Sequence, residues 1–260
     1  MILKKIKATY VVVVIIISIT GSCSENYTPT GSANNSRSST KLSQINGRIA
    51  LYTFDGKEGN PIDLDVANRW IANYTLKNNK INAHYFGNKV LLKLLSKKGS
   101  FGVRFYYSKD DNGTHHLIAV PVDANGNDFS AGFEARGLNS SFDLAFTGSA
   151  NVFNGMESDS VSISEAQHSI SNFSTGNTGG IVAHFFGFDI INQILSQSNC
   201  VGLRCYFALD DNGVQQLLLV GATKNGQNIL PTSSSTSRTE DAGGTIADVS
   251  VPCPAMCSGK

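Results

Sequence analysis

Two stretches of this chain are versions of one another, and that limits the folds open to it more than any other feature does. Residues 84–126 read HYFGNKVLLKLLSKKGSFGVRFYYSKDDNGTHHLIAVPVDANG, and residues 184–226 read HFFGFDIINQILSQSNCVGLRCYFALDDNGVQQLLLVGATKNG. They align without a gap at an offset of 100, and 16 of the 43 positions are identical, where average residue usage gives roughly three. A tandem duplication is expected, because self-similarity at a fixed period marks a supersecondary unit used more than once.

Local patterns give each copy the same element order. Asp63 precedes Val66, Ala67, Trp70, Ile71 and Tyr74 at helical spacing, and at an offset of 99 Ser162 and Glu165 form a capping box before Ala166, Ile170 and Phe173. Short strands at 82–86 and 182–186 lead through Gly87 and Gly187 into second helices. Their buried faces are Val90, Leu91, Leu94 and Leu95, and Ile190, Ile191, Ile194 and Leu195. The outer faces differ, Lys89, Lys93 and Lys97 against Asp189, Gln193 and Gln197, so the lysines read as a solvated face. Asn-Gly at 112–113 and 212–213 lies between β-branched and aromatic runs, which predicts hairpins, since both turn residues tolerate positive φ. Further turns follow at 123–126 and 223–226. The expected class is α+β, a duplicated α-β-α-β-β unit with a mainly antiparallel sheet and helices on one face. The units occupy 47–150 and 151–260, the second with a Ser/Thr-rich loop and a Cys-containing tail, and alternating runs at 48–54 and 142–146 read as additional strands.

The first 22 residues are an address. Lys4, Lys5 and Lys7 precede an apolar run from Ala8 to Ile19 and then small residues, the form of a secretory signal too short to span a bilayer. Thr20-Gly21-Ser22-Cys23 resembles a bacterial lipobox, with Ile19 one place early for the usual large aliphatic residue. Lipidation of Cys23 is therefore expected, against an ordinary secretory signal with an incidental cysteine. Residues 24–46 are rich in Ser, Asn and Thr, cannot bury enough apolar surface to order, and read as a tether.

The aromatic-Phe-Gly turn into an aliphatic helix, the hairpin GLRCYFALDDNGVQQLLLVGATKNG and the terminal PCPAMC together resemble a group of small uncharacterised lipoproteins and exported proteins of Bacteroidota. The resemblance covers 162–257 best and 63–126 less fully, since the first copy has no terminal Cys-Pro motif. It implies a place in the cell envelope and implies no activity.

Few residues suggest chemistry. Arg104 with Tyr106, and Arg204 with Tyr206, lie two apart on a strand and share a face, so a guanidinium beside a phenol makes each pair a binding candidate for a carboxylate, phosphate or sugar. The competing reading pairs each arginine with an acidic residue of its own fold. The Asp-Asp-Asn-Gly loops miss the calcium pattern, since an EF-hand register puts Ala119 or Leu219 where a bidentate Glu belongs. His84 and His184 read as structural, and His115 and His116 point to opposite faces of a strand, so no metal and no cofactor are expected. Cys200, Cys205, Cys253 and Cys257 form an even set in an exported chain and are disulfide candidates with three possible connectivities. Joining Cys253 to Cys257 closes the shortest loop, and joining either to Cys200 or Cys205 clamps the tail to the second hairpin. No catalytic motif is present, and pairs such as Glu134 with Asp143 or Glu157 with Asp159 have nothing to select them. A net charge of +1 gives no field for nucleic acid. The expectation is a lipid-anchored envelope protein that binds or scaffolds, with an envelope protein or glycan as partner. The alternative is an envelope hydrolase acting on glycan or peptide.

Overall fold

The repeated block builds matching elements in the two halves of the chain. The computed structural model describes residues 54–78, 80, 82–129, 134–140, 152–231, 243–248 and 250–253. The leader, Cys23, the tether, the run at 142–146, nearly all of that at 48–54, and Cys257 lie outside them. In the first half the elements are β1 (Asn60–Ile62), α1 (Leu64–Asn78), β2 (Ala83–Gly87), α2 (Asn88–Leu95), β3 (Gly102–Lys109), β4 (His115–Val122), β5 (Glu134–Arg136) and β6 (Leu138–Asn139). In the second they are β7 (Asp159–Val161), α3 (Ile163–Thr175), β8 (Ala183–Gly187), α4 (Phe188–Leu195), β9 (Cys200–Leu209), β10 (Gln215–Thr223), β11 (Ile246–Asp248) and β12 (Val251–Cys253). The class is α+β, with all pairings antiparallel. Among the described residues no helix is long and apolar enough to cross a membrane.

The halves do not keep their strands to themselves. One sheet runs β1-β11-β10-β9-β2-β6 and the other β7-β5-β4-β3-β8-β12, the same order with equivalent strands taken from opposite halves. Each hairpin therefore pairs with the short buried strand of the other half. Tyr206 faces Ala83 and Gly202 faces Gly87 across β9 and β2, while Tyr106 faces Ala183 and Gly102 faces Gly187 across β3 and β8. The expectation of one small sheet in each unit is corrected: each sheet takes strands from both halves, and a boundary near residue 150 cuts through both.

Alternation along β3 and β9 makes the layers. Phe105 and Tyr107 on one sheet and Leu203, Cys205 and Phe207 on the other share a central core with Phe86, Phe186 and the buried faces of α2 and α4. Rings meet at 4.8 Å between Tyr107 and Phe207 and at 5.5 Å between Phe86 and Phe105, within the range of favourable aromatic pairs. α1 covers the outer face of the first sheet through Ala67 and Ile71, and α3 covers that of the second through Ala166 and Ile170. The helix faces expected from periodicity are the faces buried.

Two local expectations change. Ser162 Oγ accepts from the Glu165 amide at 3.2 Å, but the Glu165 carboxylate turns to Arg136 at 2.5 Å, so an ion pair holds it where the capping box would turn it back. Lys89 and Lys93 are exposed, whereas Lys97 is half-buried with its ammonium 5.9 Å from the centre of the Phe129 ring.

A loop missing from the sequence reading locks the halves together. Phe54-Asp55-Gly56-Lys57-Glu58 and Phe153-Asn154-Gly155-Met156-Glu157 correspond at an offset of 99. Glu58 accepts from the amides of Asp55 and Gly56, and Glu157 from those of Asn154 and Gly155. The carbonyls of these loops then take orphan amides at helix N-termini: Gly187 and Asp189 donate to Glu58 and Gly56, and Gly87 and Lys89 donate to Glu157 and Gly155. A Cβ on Gly87 or Gly187 would lie 2.2 or 2.3 Å from the opposing glycine carbonyl carbon, so only glycine admits this approach.

Candidate functional site

Arg104 and Arg204 are each fully buried. Arg104 Nη2 donates to the Gly126 carbonyl at 2.9 Å, and Nη1 pairs with Asp128 and reaches Tyr106 Oη at 3.3 Å. Tyr106 in turn donates to Asp128 Oδ2 at 2.6 Å. In the other half Arg204 Nη2 donates to the Gly226 carbonyl at 2.8 Å, Nη1 donates to Asn228 Oδ1, and Nε donates to Ser140 Oγ at 3.0 Å. Asn228 Nδ2 donates to Tyr206 Oη at 2.8 Å. Each arginine thus fastens the turn that ends its own hairpin. Burial raises the Asp128 carboxyl above its usual range, with Arg104 and Tyr106 opposing the rise. The same face that nominated these residues as ligand grips is occupied by the fold, and Arg104 follows the competing reading, an acidic partner in its own half. The sequence comparison missed Asp128 because its counterpart is Asn228, chemically unlike it.

The Asp-Asp-Asn-Gly tips are the expected turns. Gly113 and Gly213 take φ of 83° and 78° while Asn112 and Asn212 do not enter the left-handed region. The Gly113 amide donates to the Asp110 carbonyl and the Asp110 amide to the Thr114 carbonyl, both at 3.0 Å, which describes a type I turn closed by a glycine bulge. Asp110 Oδ1 accepts from the amides of Asn112 and Thr114, and Asp210 Oδ1 from those of Asn212 and Val214. These carboxylates serve the turn, and no group of three His, Cys, Asp or Glu among the described residues is arranged to hold a metal. The second aspartates tie each tip to a helix, Asp211 by a bidentate pair with Arg69 and Asp111 through His168 at 2.7 Å.

His84 Nδ1 donates to the Gly137 carbonyl at 3.2 Å and His184 Nδ1 meets Ser250 Oγ at 2.7 Å. The Nε2 of both is buried without a hydrogen-bond partner. Burial pulls their pKa values down, to about 4 for His84 and about 3 for His184, so both are neutral packing groups near pH 7.

Two open clefts adjoin the first hairpin tip. The larger, about 630 Å³, is lined by Lys80, Asn82, Asn112 to His115 and Asn139. The smaller, about 220 Å³, lies where the ends of α1 and α3 meet both hairpins, its lining including Tyr74, Lys77, Lys109, His115, Phe173 and Gln215. His115 belongs to both, and among the described residues neither is lined by an Asp or Glu. Burial first, then the charges of Lys109 and Lys80, lowers the His115 pKa, so the local field is positive. Sequence reasoning singles out His115 only as a metal candidate and passes over Lys80, Asn82, Thr114 and Asn139, which converge from three separate places in the chain.

No family model, curated protein or solved structure matches the chain. Its own halves are the available comparison.

That comparison also corrects the cysteines. Cys200 and Cys205 are free and buried. Cys205 lies in the central core, and Cys200 Sγ donates to the Gly202 carbonyl at 3.2 Å. Neither clamps the tail, because β9 is an interior strand whose inward side chains face the other sheet. Burial pushes both thiols up, away from the reactive thiolate. Cys253 is disulfide-bonded, its partner outside the described residues. Of the carboxylates considered for catalysis, Glu157 is engaged in its own loop.

Proposed function

We propose that this is a lipid-anchored cell-envelope protein whose folded part binds its target and does not transform it. The leader, the lipobox-like ending at Cys23, the tether and the resemblance to exported Bacteroidota proteins support the location. The observation that carries the binding role is the filled Arg-Tyr face: Arg104 and Arg204 are spent on turns, and two open clefts near the hairpin tips offer amides, lysines, a histidine and aromatic rings. A glycan hydrolase works with two carboxylates flanking the scissile bond, and among the described residues neither cleft is lined by one. The matching strand order and register of the halves support an origin by tandem duplication.

Two measurements test this reading. Labelled fatty acid is incorporated into the wild type and not into Cys23→Ala; label retained in the variant sinks the anchor. Purified protein incubated with envelope glycan retains it with unchanged mass; release of new reducing ends or amines replaces the binder with the hydrolase.

A further inference from the structure

Resting on the binding reading, we propose that the cleft at the β3–β4 tip holds an anionic glycan unit, a sugar bearing a carboxylate or phosphate. The argument begins from what the other half has at the same places. Asn82 and Val182 are equivalent, since their carbonyls accept from the amides of Phe207 and Tyr107. Thr114 and His115 correspond to Val214 and Gln215. Asn139 lies opposite His84 in its sheet as Pro252 lies opposite His184. Lys80 falls against glycine at either offset, Gly179 or Gly180. The fold therefore closes with valine, proline and glycine where the first half has amides, a hydroxyl and an ammonium. Polarity at these positions is not required by the architecture, and it collects around one cleft.

The chemistry of the lining selects the ligand class. Lys80 supplies a full positive charge at the exposed rim, and His115 stands under the field of Lys80 and Lys109. Asn82 is 5% exposed, and its amide borders the Tyr74 phenol as well as the cleft. Asn112, Thr114 and Asn139 bring amide and hydroxyl groups of the kind that meet sugar hydroxyls, and among the described residues no carboxylate lines the cleft to repel an anion. A carboxylate or phosphate on a sugar ring matches the ammonium with a charge-assisted bond and leaves its hydroxyls for the amides. At about 630 Å³ the cleft is in the range of small-ligand sites.

The test follows the His115 ring resonances in the full mature protein as ligands are added. The probes are an oligogalacturonate, glucose 6-phosphate, a neutral oligosaccharide of matched length, and inorganic phosphate. Expected is a saturable shift with an anionic sugar and a raised His115 pKa as the ligand offsets the neighbouring lysines. Affinity falls about tenfold in Lys80→Ala, the loss of one charge-assisted bond, and weakens with added salt. The uronate and the phosphosugar arms identify which anion is held. Thr114→Val, the residue of the other half, retains the fold and weakens binding. The proposal is overturned if the neutral sugar shifts His115 as strongly, if free phosphate alone accounts for the effect, if Lys80→Ala binds equally well, or if no probe moves His115. Retention of intact envelope glycan under those results leaves the binding role standing and removes only this cleft; cleavage of the glycan removes the role itself.

Discussion

The tips of the two hairpins carry the same four residues, Asp-Asp-Asn-Gly, on the same turn, yet their surroundings diverge. Around the first are Lys109, Thr114, His115 and His116; around the second are Leu209, Val214, Gln215 and Gln216. Even the supporting bonds persist through the change, since His116 Nε2 and Gln216 Nε2 both reach the first aspartate of their turn at 3.3 Å. Residues that build the frame are held in common or replaced by others making the same bond. Of the residues facing the cleft, Asn112 and Gly113 recur as Asn212 and Gly213, but Lys80, Asn82, Thr114, His115 and Asn139 do not, which separates architecture from specialisation within one molecule.

The largest expected effect concerns the frame as a whole. Because both sheets are shared between the halves, residues 47–150 or 151–260 produced alone leave edges of β2 and β3, or of β8 and β9, unpaired. Neither should give a cooperatively unfolding monomer, and mixing them should restore the circular dichroism of the intact chain. A stable folded monomer from either segment breaks the comparison at its base.

Next come the arginines. Arg104→Ala should cost on the order of 3–5 kcal/mol in denaturant unfolding, because truncation strands the Asp128 carboxylate, and Arg204→Ala, which strands the neutral acceptors Ser140, Asn228 and Gly226, about 1–3 kcal/mol. Asp128→Asn should cost much less than Asp128→Ala, since the other half runs the same network on an amide at 228. Equal losses for the two variants would show that the networks are not interchangeable.

A smaller effect is set by pH. His84 and His184 have folded pKa values of about 4 and about 3, below the ordinary 6.5, so the unfolded chain binds more protons in between. Stability is fully present above pH 6.5 and is lost as pH falls toward 4 and 3. His84 is opposed in charging by burial and then by His116 and His115, whereas burial alone acts on His184. Unfolding midpoints should decline over this window, and a flat profile would mean that neither ring is buried neutral. Smallest in energy is the thiol pattern. Cys200 and Cys205 should alkylate only after unfolding, with Cys253 recovered in a disulfide-linked peptide; a link from either β9 cysteine to the tail contradicts the interior placement of that strand.

Much of the frame is legible in the sequence because it is local. The glycine of each turn, the aliphatic faces at 90–95 and 190–195 and the Ser162 cap follow from residues within one helical turn or one hairpin. Strand partnership is not local. β3 and β9 are so alike that either satisfies β2 or β8 with the same register, and the pattern of apolar residues is identical for either choice. The cysteine pairing failed for a related reason: an even count says nothing of which face or layer a side chain enters. For Arg104 an acidic partner in its own fold was legible but not which residue, because Asp128 lies 24 residues away beyond a turn and is matched by an asparagine. The cleft is the least legible of all, since Lys80, Asn82, Thr114 and Asn139 meet only after the halves exchange strands.

The separation of frame from cleft is tested most directly by one variant, Lys80→Ala/Thr114→Val/His115→Gln, two of whose substitutions install the residue of the other half. Its unfolding midpoint and its affinity for oligogalacturonate are measured on the same preparation. The expected result is a midpoint within about 0.5 kcal/mol of wild type, as for surface changes away from structural features, with binding lost. A variant that unfolds substantially more easily would place these side chains in the frame, and one that still binds would empty the cleft of its role; either result contradicts the account.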